Sequence, residues 1–207
     1  MKIISHRGYW TDDIKKNSVE AFINSFSKGY GTETDVRDLH GELVISHDTP
    51  LGGEILFKDF LELYTSFNIK APLAINIKSD GLAALIISQL NNYPGLNYVC
   101  FDMSVPDMRD YQKHQLSYLC RISEEETIPS FEKGAVGVWL DSFYGNWFTT
   151  EDIENLSNRF EHIYIVSAEL HRRPYLEQWN VIKGLKNTDK IVLCTDVPEI
   201  ARDFFEV

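Results

Sequence analysis

The side chains with the types and spacing to do chemistry gather near the start of the chain: His6 and Arg7, then Glu33 and Asp35, then His47. Histidine changes charge close to neutral pH, so His6 and His47 together supply a base that removes a proton and an acid that returns one. Arg7 brings a charged fork of donors suited to a phosphate oxygen. Glu33 and Asp35 stand two residues apart, and on a strand that spacing sends both carboxylates to the same side, close enough to share a divalent cation. Oxygen donors favour Mg²⁺ or Ca²⁺. Two carboxylates held so close repel unless a cation compensates, and that cation is either a metal or Arg7, Arg37 or Lys78 in a buried ionic network. His40, His114 and His162 lack such company and read as surface or turn residues.

These segments must be brought together by the elements that carry them. Short β-rich runs are expected near Lys2–Ser5, Thr32–Val36, Pro72–Ile77, Tyr98–Phe101, Ser117–Cys120, Val136–Leu140, Ile163–Val166 and Ile191–Cys194. Helical patterns alternate with them near Ser18–Lys28, Lys58–Ser66, Gly81–Asn92, Val105–Lys113, Glu151–Arg159, Pro174–Lys183 and Pro198–Phe205, with a weaker turn or helix over Glu124–Phe131. Asn17 and Thr150 stand where side-chain caps of two helices belong. The alternation is that of repeated β-α units around a parallel sheet, and its strand count suggests a closed, compact (β/α)8 TIM barrel. Such barrels commonly run to ~250 residues, so short loops and abbreviated helices are expected. Residues Leu39–Ile55 add a hairpin, with a turn at Asp38–Gly41 and a short strand at Leu43–Ile45 returning across the barrel mouth. His6-Arg7-Gly8, Glu33-Thr34-Asp35 and His47-Asp48 all follow strand C-terminal ends, the face where barrel loops converge.

Composition narrows the function classes. The 207 residues carry 20 Lys+Arg against 31 Asp+Glu, a formal charge of −11, which disfavours nucleic acid and anionic membranes as partners. No apolar run approaches the ~20 residues of a bilayer span. The opening MKIISHRGYW lacks the unbroken apolar core of a signal peptide, so a cytoplasmic location is expected. Cys100, Cys120 and Cys194 are widely spaced and read as reduced, buried thiols. No composition break or linker divides residues 1–207, which read as one domain.

ISHRG at Ile4–Gly8, NSVEAF at Asn17–Phe22, ETDVR at Glu33–Arg37, Val44–Asp48, INIK at Ile75–Lys78 and CTDVPE at Cys194–Glu199 occur in an order that resembles the glycerophosphodiester phosphodiesterases, within the phospholipase C-like phosphodiesterase barrels. The resemblance implies that His6 and His47 are the catalytic acid-base pair, that Arg7 binds phosphate with help from Lys78, and that Glu33 and Asp35 hold a divalent metal. It implies hydrolysis of a small glycerophosphodiester or related phosphodiester. The chain departs from the family at Asn76, which stands where a third metal-binding Glu is usual, and at Lys16, where an acidic residue is common. Asn76 still offers a carbonyl oxygen, but one negative charge fewer weakens cation affinity.

Beyond these motifs, Arg121 follows the fifth strand, and the loop after the seventh carries Glu169, His171 and Arg172, all candidates for an anionic or polar part of the substrate. Asp102 and Asp141 occupy corresponding strand ends and either line the same mouth or serve as caps. Trp139, Phe143, Tyr144, Trp147 and Phe148 form an aromatic group that packs the core, anchors a loop or covers a substrate face. Two other readings stand beside the hydrolase: a noncatalytic barrel that binds a phosphorylated ligand at a degenerate metal site, and a phospholipase-type phosphodiesterase. The sequence leaves the oligomeric state open.

Overall fold

In the computed structural model, which describes residues 1–207, strands and helices alternate along the chain. The strands are β1 (Lys2–His6), β2 (Gly31–Leu39), β3 (Glu42–Ile45), β4 (Leu73–Ile77), β5 (Tyr98–Phe101), β6 (Leu119–Ile122), β7 (Gly137–Leu140), β8 (His162–Val166) and β9 (Ile191–Thr195). The helices are α1 (Val19–Ser27), α2 (Phe57–Ser66), α3 (Ala83–Leu90), α4 (Met108–Lys113), α5 (Thr150–Arg159), α6 (Leu176–Lys183) and α7 (Pro198–Phe205). All strands but β3 run parallel, in the order β5-β4-β2-β1-β9-β8-β7-β6, and β3 pairs antiparallel with β2. A single bridge, Cys100 to Tyr118, joins β5 to β6 and nearly closes the cylinder. The eight parallel strands with helices between them form a compact (β/α)8 TIM barrel.

Strand alternation divides the apolar side chains into two layers. Ile4, Ala74, Val99, Phe101, Leu119, Trp139, Tyr164, Val166, Val192 and Cys194 fill the barrel interior. Trp139 stacks on Phe101 with ring centroids 3.8 Å apart, so the middle of the cylinder is solid. The intervening residues, such as Ile3, Leu73, Ile75, Leu193 and Val138, face the helices and join Phe22, Phe60, Ile86, Ile153 and Trp179 in the larger outer core. The polar end of each strand is thereby left at the C-terminal mouth.

Several boundaries differ from expectation for physical reasons. β2 runs to Leu39, past Glu33 and Asp35, because its second half pairs with β3. The hairpin turn consequently shrinks to His40-Gly41, both with positive φ. β6 begins at Leu119, two residues beyond the expected start, which places Arg121 inside the strand. Asn17 does not cap α1: Ser18 does, accepting from the Ala21 N–H at 3.2 Å. Thr149, not Thr150, caps α5, in a reciprocal capping box with Asp152. The segment Glu124–Phe131 forms no helix. It has no apolar face to bury, Ile128 being exposed, and the Glu124 carboxylate instead accepts the backbone N–H groups of Phe143, Tyr144 and Gly145.

His162 opens β8 and is half-buried, so it is neither a turn nor a surface residue. The aromatic group does not hold together either. Trp139 lies inside the barrel, Phe148 in the outer core, and Tyr144 is exposed, while Trp147 donates from Nε1 to the Asp141 carbonyl at 2.8 Å. All three cysteines are free and buried. No helix is long and apolar enough to cross a membrane.

Candidate active site

Inward-facing positions at the strand ends converge on a cavity of about 660 Å³ at the C-terminal mouth. His6 ends β1 on the inward side, two residues beyond Ile4. The chain then turns sharply through Arg7 and Gly8, both at positive φ, with the Arg7 N–H donating to the Glu33 carbonyl at 2.9 Å. A Cβ on Gly8 would lie 2.7 Å from Cβ of Ala21, so glycine is what lets this turn press against α1.

His6 Nδ1 lies 2.7 Å from Asp196 Oδ1, and its Nε2 is 3.9 Å from Glu33 Oε2. Because the Asp196 carboxylate is an acceptor, it holds the ring proton on Nδ1 and leaves the Nε2 lone pair toward the cavity. Asp196 accepts further from Trp10 Nε1 at 3.0 Å and Lys16 Nζ at 3.3 Å, and Lys16 sits over the Trp10 ring. Burial pushes the His6 pKa below its ordinary value, outweighing the opposing pull of Asp196. Burial acts to raise Asp196, but the His6 hydrogen bond, with His6 and Lys16 charge, holds its carboxyl below the usual range.

Glu33, Asp35 and Asn76 are buried on adjacent strands, with Asp35 opposite Asn76 in the β2–β4 register. Asp35 is already compensated in part. Arg7 Nε approaches its Oδ2 to 2.8 Å as an ion pair, Asn17 Nδ2 donates to the same oxygen at 2.8 Å, and Lys78 Nζ is 3.4 Å from Oδ1. The ionic network weighed from the sequence therefore exists for Asp35, whereas Arg37 turns away to bond the His47 carbonyl. Glu33 has no such partner. Burial first, and the charge of Asp35 second, push its pKa up to about 8 against the pull of Arg7 and Lys78.

Buried Glu33 Oε2 and Asn76 Oδ1 lack a hydrogen-bond donor, and Asp35 Oδ1 has only the Lys78 ammonium at 3.4 Å. Three hard oxygen acceptors, two of them without a donor, beside a carboxyl held above neutrality fit a divalent cation whose remaining ligands come from water or substrate. No group of three or more His, Cys, Asp and Glu side chains stands ready for a metal, so the set depends on the amide of Asn76.

His47 follows β3, whose loop is tied to β2 by the Ser46 N–H on the Asp35 carbonyl at 3.1 Å. It is 45% exposed, so it can meet a ligand without rearrangement, and its Nδ1 lies 2.9 Å from Asp48 Oδ1. His6, Arg7, Glu33, His47, Asn76 and Lys78 line one wall of the cavity. Asp35 lies beneath it. Arg121, Glu169, His171 and Arg172 line the other wall, together with Phe143, Asp102 and Asp141.

Most groups on that second wall are already engaged. Arg121 pairs with Asp102 and reaches Glu126 at 3.5 Å, and the pair separates the main cavity from a side chamber of about 200 Å³. His171 Nε2 is 2.7 Å from Asp141 Oδ1, with its ring edge-on to Phe143. Glu169 accepts from the Ser167 and Thr195 hydroxyls and from the Asp196 N–H at 3.1 Å, so it braces the segment holding Asp196. Arg172, exposed at φ 59°, enters no ion pair and is the free cation of this wall.

Asp196 stands in the CTDVPE motif without a role of its own there, and the alternation Val192, Cys194, Asp196 is the signal that sends it inward to the site. Trp10 carried no signal, because its only sequence cue is proximity to the His6 turn.

No family model and no curated protein sequence matches the chain. Solved structures do. A glycerophosphodiester phosphodiesterase from Agrobacterium tumefaciens aligns with a TM-score of 0.68 at 17% identity, covering 99% of this chain and 98% of that one. An Oleispira antarctica phosphodiesterase in complex with the product sn-glycerol-3-phosphate gives 0.70 at 16% identity, over 100% and 97% of the two chains. A glycerophosphoryl diester phosphodiesterase from Parabacteroides distasonis gives 0.68 at 16%, over 99% and 86%. The chain shares the fold of these glycerophosphodiester phosphodiesterases over nearly its full length.

Proposed function

We propose that the protein is a phosphoric diester hydrolase acting on a small glycerophosphodiester, with His6 and His47 as its acid-base pair. The observation that carries this reading is the His6 arrangement: a half-buried histidine with Nδ1 on Asp196 and Nε2 free beside Arg7 and the Glu33–Asp35–Asn76 oxygens. Held neutral by burial, His6 accepts a proton through Nε2 from the attacking hydroxyl, either a water or a neighbouring substrate hydroxyl. That oxygen forms the new P–O bond. The opposite P–O ester bond breaks, and His47 delivers a proton to the departing alcohol oxygen, so the alcohol leaves neutral. Where a substrate hydroxyl attacks, the product is a cyclic phosphodiester, which water then opens with His47 taking the water's proton and His6 returning one to the ring oxygen that departs.

Arg7 and Lys78 offset the charge on the phosphoryl oxygens, their stems fixed by the contacts to Asp35. Glu33, Asp35 and Asn76 would hold a divalent cation, Mg²⁺ or Ca²⁺, which acts as a Lewis acid on the phosphoryl group. On the second wall, Arg172 is the cation free to meet a polar or anionic substituent, while His171 and Arg121 present groups oriented by Asp141 and Asp102. The sn-glycerol-3-phosphate bound by the Oleispira antarctica relative supports a ligand of this size and charge.

Asn76 favours a second reading, a barrel that retains phosphorylated-ligand binding without turnover. The experiment that separates them is hydrolysis of glycerophosphodiesters and an aryl phosphodiester by chelated protein, with Mg²⁺, Ca²⁺ and Mn²⁺ returned separately, beside Asn76→Glu. Metal-restored turnover in the wild type supports the hydrolase. Turnover confined to Asn76→Glu marks a disabled descendant, and none in either protein supports the binding reading.

A further inference from the structure

At the end of the barrel opposite the catalytic cavity, where β1, β2 and β4 begin, lies a separate cavity of about 290 Å³. Its apolar walls include Ile3, Tyr30 and Ala71, and its rim carries Lys2, Lys28, Lys70 and Arg202. No aspartate or glutamate side chain lines it, although acids outnumber bases 31 to 20 in the whole chain. Lys28 is engaged by Glu199 at 3.0 Å and Arg202 by its neighbour Asp203 at 3.0 Å. Lys2 and Lys70 enter no ion pair.

The second observation is Tyr30. The residue is 5% exposed, and its buried hydroxyl finds no acceptor for its proton. A buried phenol normally finds an acceptor, because leaving it unpaired costs its full desolvation. The nearby Arg202 guanidinium donates only, so nothing in the fold accepts the Tyr30 proton. The cavity therefore presents one donor without an acceptor, two unpaired ammonium groups and apolar walls, while the carboxylates that act on Tyr30, Glu199 and Asp203, are held by Lys28 and Arg202.

We infer that this cavity binds a small amphipathic carboxylate, its head on the Tyr30 hydroxyl between Lys2 and Lys70 and its hydrocarbon body against Ile3 and Ala71. An apolar cavity of ~150 Å³ holds a benzene molecule, so this one admits a body of up to roughly ten carbons. The site is independent of the catalytic cavity and of the phosphodiesterase reading, since it shares no residue with either wall of the barrel mouth.

Isothermal titration of the full chain with octanoate tests it, beside octan-1-ol, acetate and inorganic phosphate. One equivalent of octanoate is expected to bind with a sub-millimolar Kd. The alcohol lacks the head and acetate lacks the body, so both are expected at least about tenfold weaker. Tyr30→Phe, which keeps the ring and removes only the unpaired hydroxyl, should weaken octanoate about tenfold while the thermal transition holds or rises. Lys70→Met should weaken it in the same direction, and His6→Ala should leave it unchanged. No saturable binding by the wild type at ~10 mM octanoate, well above the Kd expected of a specific site, overturns the inference. Binding indifferent to Tyr30→Phe, binding displaced by sn-glycerol-3-phosphate, or binding of phosphate as tight as that of octanoate overturns it equally.

Discussion

At His6 the identity of the protonated nitrogen matters as much as the ring itself. Asp196 fixes it, so Asp196→Asn, which can donate to Nδ1, is expected to move the proton to Nε2 and remove the base without disturbing the fold. Turnover of a glycerophosphodiester should fall by about tenfold or more in that variant, and by about 10²–10⁴ in His6→Ala, with circular dichroism unchanged in both. Glu33 makes a different prediction. Its folded pKa of about 8 lies above the ordinary carboxylate value, so the folded state binds the extra proton between those limits. Stability of the metal-free protein should then fall as pH rises through that window. Urea unfolding at intervals from pH 5 to 8.5 reads this directly, and Glu33→Gln should flatten the profile; an unchanged slope assigns it to another group. The residue types at His6, Glu33 and Asp35 were legible because alternation alone points them inward. The engagement of Glu169 by Ser167, Thr195 and the Asp196 N–H was not, since it joins loops after two different strands.

At the level of elements, the site hangs on short turns whose caps can be tested one at a time. Thr149→Ala removes the capping box of α5 and should cost about 1 kcal/mol by urea denaturation, with activity retained. Asn17 holds a heavier position. It adopts φ 56°, donates to Asp35, and accepts the Thr34 hydroxyl at 2.9 Å, so it ties the entry of α1 to β2. Asn17→Ala should therefore cost about 2 kcal/mol or more and weaken Mg²⁺ or Ca²⁺ binding together, whereas Ser18→Ala should lower stability alone. The sequence placed a cap at Asn17 because the residue type suits one. The structure gives the cap to Ser18 because Asn17 is drawn to Asp35, a partner from the next strand that local pattern cannot reveal. β2 overran its expected end for the same kind of reason, its extension being paid for by pairing with β3.

Across the whole molecule, the barrel was readable from its alternation of strands and helices, and the two-layer core follows from period-two strands closed into a cylinder. The extent of closure was not readable. Neighbouring strands elsewhere share ladders of three or more partners, while β5 and β6 meet at one bridge, with the Cys100 N–H on the Ser117 carbonyl at 2.9 Å. A cylinder fastened along one line by a single backbone clasp has a built-in place to part. In native-state hydrogen exchange the Cys100 amide should lose its proton well before those of Ile165 and Leu193, which sit in the continuous β8–β9 ladder. The Asp102–Arg121 ion pair crosses the same line at the mouth, so Asp102→Asn should speed exchange of the Cys100 amide further while leaving Ile165 and Leu193 unchanged.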